Sequence, residues 1–270
     1  MKLQLTNGYH PHLEQIARLL QFLLKQGARG KIPRVEVAVA TGLAENQVES
    51  LTSVAVAYGL IVAHSGVLTT LGRMLADYDP YFDRIESLWL IHYIISSNPE
   101  WLVWHRVVNN AFQDKEVMTA AGLLIPYFSD FQGQYSARTL EEKLPKEVQS
   151  VLWTYAQSGL SRLGLLRQDE RGIYLRGVCA EVPPLAFLCC LVHYRSEHAP
   201  TSTALPIAEV ASGQDSPGAV LNLPEYQVRT FIERLQEDRL VGVERFGDLD
   251  QVRFPQELTL SLALQRIYGS

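Results

Sequence analysis

The sequence predicts a mainly α fold with small β-hairpins, in which winged helix-turn-helix units are joined by a helical core. Three stretches carry that expectation. Residues 33–75 read as two helices broken at Thr41-Gly42, followed by apolar runs that fold back at His64-Ser65-Gly66. Residues 160–176 repeat the ending of that pattern, with Gly164-Leu165-Leu166-Arg167 returning as Ile173-Tyr174-Leu175-Arg176 through Glu170-Arg171-Gly172. Residues 223–254 repeat its second helix and wing, as a helix followed by Leu240–Arg245 and Gln251–Phe254. The implied division is 1–78 (N-terminal winged-helix unit), 79–136 (helical core and connector), 137–180 (second winged-helix-like unit) and 181–270 (C-terminal winged-helix unit).

In chain order, Leu13, Ile16, Leu19, Leu20, Leu23 and Leu24 form a helical stripe closed by Gly27. His10 and His12 lack a third nearby ligand and read as a surface turn, not a metal site. Gly27, Gly30 and Pro33 make a loop whose GARGK pattern lacks the Gly-Lys-Ser/Thr ending of a phosphate loop. A second helix carries Val48, Leu51, Ala55 and Tyr58 on one face and ends at Gly59, a residue that enters the left-handed region without steric penalty. Thr69 is placed to cap the helix containing Gly72.

Leu88, Trp89, Ile91, His92 and Ile95 form an apolar helix that belongs in the interior, broken by Ser96-Ser97-Asn98-Pro99. Trp101, Trp104, Val107, Val108 and Phe112 continue on another helix, with Arg106 and Asn109-Asn110 as polar pins. His92 and His105 read more readily as satisfied core groups than as a catalytic pair. A short helix near Lys115–Ala121 should run into an ordered loop, in which Tyr127, Phe128, Phe131 and Tyr135 pack on one another rather than stack bases. A helix starting at Ser136 or Thr139 and a further stripe at Val148, Leu152 and Tyr155 precede the second hairpin. The last unit opens with an apolar helix holding Cys189 and Cys190 as small hydrophobes. A Ser/Pro/Gly-rich loop with a short helix at 207–211 follows, then the helix carrying Val228, Phe231, Ile232 and Leu235, and a closing helix from Leu258 to Tyr268.

Composition narrows the function. The chain has 270 residues, 47% hydrophobic and 20% charged, with a net charge of −5, which is an ordinary globular balance and argues against a strong non-specific nucleic-acid binder. Its three cysteines include no CxxC and suit a reducing cytoplasm, and neither a disulfide framework nor a zinc site is expected. Met1-Lys2-Leu3 leads into polar Thr6-Asn7-Gly8, so no signal peptide is expected, and no apolar run reaches membrane-span length. No Ser-His-Asp or Cys-His order and no dinucleotide fingerprint is apparent, so neither catalytic residues, metal nor cofactor is assigned.

TGLAENQVESL, GLI, LTTLG and DPYFDRIESLWLIHYIISSNP together resemble a bacterial domain family of unknown function. The likeness is most specific at Asp79-Pro80-Tyr81, Leu88-Trp89-Leu90, His92 and Ser97-Asn98-Pro99, and departs at Ala44 and Glu45, where the family carries glycine and lysine. Its genes occur beside phosphoadenosine-phosphosulfate-reductase-like genes in DNA-modification and phage-defence islands. The resemblance therefore implies a defence or modification context and no particular reaction.

The candidate nucleic-acid contacts are cationic or amide side chains at hairpins and helix faces. Residues 138–176 hold seven Lys/Arg against five Asp/Glu, a net of +2, while the remainder carries −7. Arg167, Arg171 and Arg176 on that hairpin are the foremost phosphate candidates, the alternative being a solvated hairpin with ordinary surface charge. Gln227, Arg229 and Arg234 lie outward on the last unit's long helix, beside Glu225, Glu233 and Glu237. Arg29, Lys31 and Arg34 precede the first unit's acidic second helix, which bears Glu45 and Glu49. The expected function is a non-enzymatic, cytoplasmic DNA-binding component of a bacterial DNA-modification or phage-defence system. The alternative is a scaffold that docks partner proteins of the same assembly through winged-helix faces.

Overall fold

The computed structural model describes residues 2–27, 30, 33–247 and 249–269. They are mainly helical, with two small three-stranded antiparallel sheets. The chain divides into two compact units, Met1–Ala180 and Glu181–Ser270. No described helix is long and apolar enough to cross a membrane.

The first unit opens with α1 (Leu13–Gln26), which buries Leu13, Ile16, Leu19, Leu20 and Leu23 as its stripe requires. Next come α2 (Arg34–Thr41) and α3 (Glu45–Ala57). Gly42 turns the chain between them with φ 73°, and the Leu43 N–H reaches back to the Ala38 carbonyl at 3.2 Å. Gly59 at φ 71° ends α3, where the Leu60 N–H closes on Ala55 O at 2.9 Å.

Residues 60–69 do fold back, but the two expected runs reduce to the single bridge Ile61↔Leu68. The Ser65 hydroxyl donates to Val62 O and accepts from Val67 N–H, and these local bonds take the place of further ladder bonds. Thr69 caps α4 (Thr70–Tyr78) by accepting from Gly72 N–H at 3.0 Å. A Cβ at Gly72 would stand 1.9 Å from Leu60 O, so only glycine lets α4 lie against the hairpin base.

α5 (Ile85–Ser96) is buried on nearly every side and forms the centre of this unit with α9, described below. α6 (Leu102–Arg106) runs through a π turn, Val107–Ala111, into α7 (Phe112–Asp114). Asn109 pins α5 by donating to Ser96 O at 2.7 Å. Arg106 lies 4.4 Å from the Phe131 ring centroid and donates to Tyr127 O and to Asp130.

The connector differs from expectation. Residues 115–118 supply a strand, β1 (Val117–Met118), and the stretch expected as a loop is helix α8 (Ala120–Phe128) with a 3₁₀ turn at Ser129–Phe131. Thr119 caps α8 on Gly122 N–H, and Pro126 removes only its own donor near the helix end, too little to unwind it. The two helices expected over 138–159 are also one continuous element. A π turn, Thr139–Lys143, leads directly into α9 (Leu144–Gln157), whose second residue is a proline. A 3₁₀ turn (Gly159–Leu163) then leads into β2 (Leu166–Gln168) and β3 (Tyr174–Arg176). The strand order is β1-β3-β2.

The interior of this unit is sealed by polar pairs as well as packing. Tyr155 OH lies 2.7 Å from His92 Nδ1 and accepts from Trp104 Nε1–H at 3.0 Å, so His92 is a buried, bonded core group. Buried Glu147 on α9 accepts from the N–H groups of Leu5 and Thr6 and from the Thr6 hydroxyl, fixing the N-terminal segment across the helix. Between α4 and α5, Phe82 is held at φ 58° while 1% exposed, a conformation that costs a bulky side chain on the order of 1–3 kcal/mol.

The second unit is centred on α10 (Pro184–His198), in which Cys189 and Cys190 are fully buried and burial pushes both thiols up. β4 (Ala204–Pro206), α11 (Ile207–Ser212) and α12 (Pro217–Val220) occupy the stretch expected to be mostly loop. α13 (Glu225–Glu237), β5 (Gly242–Phe246), β6 (Leu249–Arg253) and α14 (Leu260–Tyr268) complete it. Phe187 stacks on Phe231 at 5.1 Å, joining α10 to α13. The sheet order β4-β6-β5 repeats that of the first unit, with a leading strand paired to the second strand of the hairpin.

Candidate nucleic-acid interface

The β2–β3 hairpin is set by Asp169. Its carboxylate accepts from the N–H groups of Arg171 at 2.9 Å and Ile173 at 2.8 Å, and Gly172 supplies φ 77°. Arg171 therefore stands at the tip, exposed. The register then sorts the other two arginines. Arg167 lies opposite Leu175 on the face away from buried Leu166 and Tyr174, and it is exposed. Arg176 lies opposite Leu166, on the core side. Its guanidinium donates to Phe112 O at 2.6 Å and to Gln113 O, at the carbonyl end of α7, and sits 3.5 Å from Glu116. Arg167 and Arg171 make no ion pair among the described residues, whereas Arg176 is engaged within the fold.

The helix before this hairpin is not open to a ligand. His10 stacks on Trp153 of α9 at 4.4 Å and His12 meets the same ring edge-on. Ser150 donates to Tyr9 O, Lys143 donates to Gln4, and Glu147 holds residues 5 and 6. The His10 imidazole is held below its usual range, first by burial and then by neighbouring His12.

On α2, Arg34 pairs with Glu49 of α3 at 2.9 Å. Arg29 and Lys31 lie outside the described residues. A groove of about 370 Å³ runs beside α3. Its ionisable lining groups are Lys2, Arg34, Glu49 and His64, of which Arg34 and Glu49 are paired to each other. Among the described residues, no group of three or more His, Cys, Asp or Glu side chains is arranged to hold a metal ion.

In the second unit, Gln227 is half-buried and donates to Tyr226 OH at 3.1 Å. Arg229 lies between Glu225 at 2.7 Å and Asp250 at 2.6 Å. Arg245 joins Glu233 at 2.8 Å, and Arg253 joins Glu244 at 2.8 Å. Arg234 is exposed and has no ion pair among the described residues. Residues 181–270 contain seven Lys/Arg and twelve Asp/Glu, so the whole net charge of −5 resides there. Two apolar side chains stand out at the β5–β6 tip, Phe246 at 83% and Leu249 at 47% exposure. In the sequence they look like ordinary turn-flanking residues. Only their exposure at the end of the hairpin marks them.

Two solved structures share the fold, described as SspB and as magnesium ion-bound SspB. Each gives a TM-score of 0.74 at 17% sequence identity, covering 98% of this chain and 87% of that chain. No curated protein matches the chain. A family model matches residues 32–268, and the chain belongs to that family, described as Protein of unknown function (DUF4007).

Proposed function

We propose that this chain is a non-enzymatic DNA-binding component of a bacterial DNA-modification or phage-defence system, built from winged helix-turn-helix units and contacting DNA through the β2–β3 hairpin. The winged reading is supported by a repeat of connectivity. A leading strand, helices and a hairpin occur twice, with sheet orders β1-β3-β2 and β4-β6-β5. It is also supported by a repeated turn. Gly42-Leu43-Ala44-Glu45 and Asn222-Leu223-Pro224-Glu225 each place a left-handed residue before a leucine whose N–H bonds five residues back.

The observation that carries DNA binding is the pair Arg167 and Arg171. They are two exposed guanidiniums on one hairpin with no carboxylate partner among the described residues. With α9 covered and α3 acidic, contact falls to the hairpin and the phosphates, the term that dominates affinity and depends on salt. The test is fluorescence anisotropy with a labelled duplex over a KCl series. The Arg167→Ala/Arg171→Ala variant should bind several-fold more weakly, with the log–log salt slope reduced by about 2. Unchanged affinity and slope would remove the hairpin, and no binding at low salt would remove DNA.

A second reading, docking of partner proteins, is favoured by the second unit. Arg229, Arg245 and Arg253 are each paired with carboxylates, and Phe246 and Leu249 stand exposed at the tip of the same hairpin. Binding of a neighbouring gene's product at high salt, lost in Phe246→Ser, would favour it over DNA.

A further inference from the structure

The turn between α4 and α5 is held more firmly than its length requires. Buried Asp79 accepts from the N–H groups of Asp83 at 2.8 Å and Arg84 at 3.2 Å, and from the Ser87 hydroxyl. Arg162 reaches over from the 3₁₀ turn ahead of β2 and donates to the carbonyls of Phe82 at 2.8 Å and Asp83 at 2.6 Å. The Phe82 ring plugs the core while its backbone sits at φ 58°. The result is that the next ring back, Tyr81, stands 78% exposed on a rigid base, with Tyr78 beside it in sequence at 54%. The Tyr81 hydroxyl has no partner among the described residues. Strained backbone that its surroundings hold in place marks functional positions more often than ordinary turns do.

We propose that Tyr81 is a stacking platform for an unpaired nucleobase, so that the DNA taken by this chain is a duplex interrupted by unstacked bases rather than a continuous one. The inference rests on the DNA reading above. An aromatic face exposed to solvent on a held turn suits a base, because stacking needs no hydrogen-bond code and the backbone that carries the ring is already ordered. Asp77 and Asp83 lie close to Tyr81 in the sequence and no Lys or Arg stands between them, so attraction for phosphate has to come from elsewhere. Arg162 supplies the link, since it anchors the Tyr81 turn to the segment that enters the hairpin bearing Arg167 and Arg171.

The test compares a continuous duplex with the same duplex carrying a four-base bubble that contains 2-aminopurine. Wild type should prefer the bubble and quench the probe. Tyr81→Ala should bind the bubble about tenfold more weakly, lose the quenching and bind the continuous duplex unchanged, whereas Tyr81→Trp should keep both preference and quenching. The exposed position lets both variants fold, which a urea melt verifies. If Tyr81→Ala binds bubble and duplex as wild type does, the stacking role is overturned while the hairpin reading stands. If wild type binds neither DNA, both fall together.

Discussion

Arg229 on α13 lies 2.6 Å from Asp250 on β6 and 2.7 Å from Glu225 one turn earlier on its own helix. Hydrogen bonds to Glu225 and then Asp250 hold its guanidinium above the ordinary arginine range. A cation shared by two carboxylates has little attraction left for phosphate. Arg229→Ala is therefore expected to change duplex affinity by less than about twofold, against a several-fold loss for Arg167→Ala in the same anisotropy titration. The pair is partly exposed, so its removal should also leave stability within roughly 1 kcal/mol.

Arg176 should behave in the opposite way. Its bonds to Phe112 O and Gln113 O join β3 to the end of α7. Arg176→Ala is expected to lower stability by about 1.5–3 kcal/mol in a urea melt, because charged hydrogen bonds disappear and two carbonyls lose a donor. DNA affinity of the folded variant should be unchanged. A several-fold affinity loss with an unaltered melt would instead place Arg176 against the ligand.

Glu147 gives the first unit a pH signature. Burial raises its carboxyl above the usual glutamate range, and the bonds from Thr6 and Leu5 offset this only in part. A carboxyl raised in the folded state favours folding when protonated. Its contribution is thus fully present below the unfolded pKa and is lost as pH rises through the folded one. Stability measured across that window should decline in wild type and flatten in Glu147→Gln, whose carbonyl still accepts the two backbone bonds. Glu147→Leu should cost about 2–4 kcal/mol, since the N–H groups of Leu5 and Thr6 lose their acceptor. A flat wild-type profile would count against an ionisable Glu147 in that window.

Tyr155→Phe removes the single hydroxyl that meets both His92 and Trp104. Trp104 Nε1–H, nearly fully buried, would lose its acceptor, while His92 Nδ1 keeps the Ser96 hydroxyl 3.5 Å away. The expected cost is about 1–3 kcal/mol by denaturant midpoint, with the near-ultraviolet signal of Trp104 altered. A loss under about 0.5 kcal/mol would mean that the site relaxes or admits water.

Much of the local structure could be read along the chain. The stripe of α1, the caps at Thr69 and Gly59, and the turns at Gly42 and Gly172 are decided by residues within a few positions of one another. Periodicity and glycine placement report such features directly. Expectation failed where remote partners decide. β1 is two residues long and becomes a strand only because β3 lies beside it. The run through Pro126 reads as an ordered loop, yet Ala120–Phe128 is helical, with Leu123 and Phe128 buried beneath it.

The candidate site divides along the same line. Sequence alone determined that residues 138–176 concentrate positive charge and that a hairpin ends them, because composition and turn chemistry are local properties. It also determined the acidity of α3 and the mixed charge of α13. Tertiary structure decided which cations remain available. Strand register turned Arg167 outward and Arg176 inward. Residues 2–12 covered α9 across 141 positions of chain, as the Thr6–Glu147 bond records. Asp250 took up Arg229. A side chain's charge is written in its own residue, but its availability depends on where oppositely charged or hydrogen-bonding groups from distant segments come to rest.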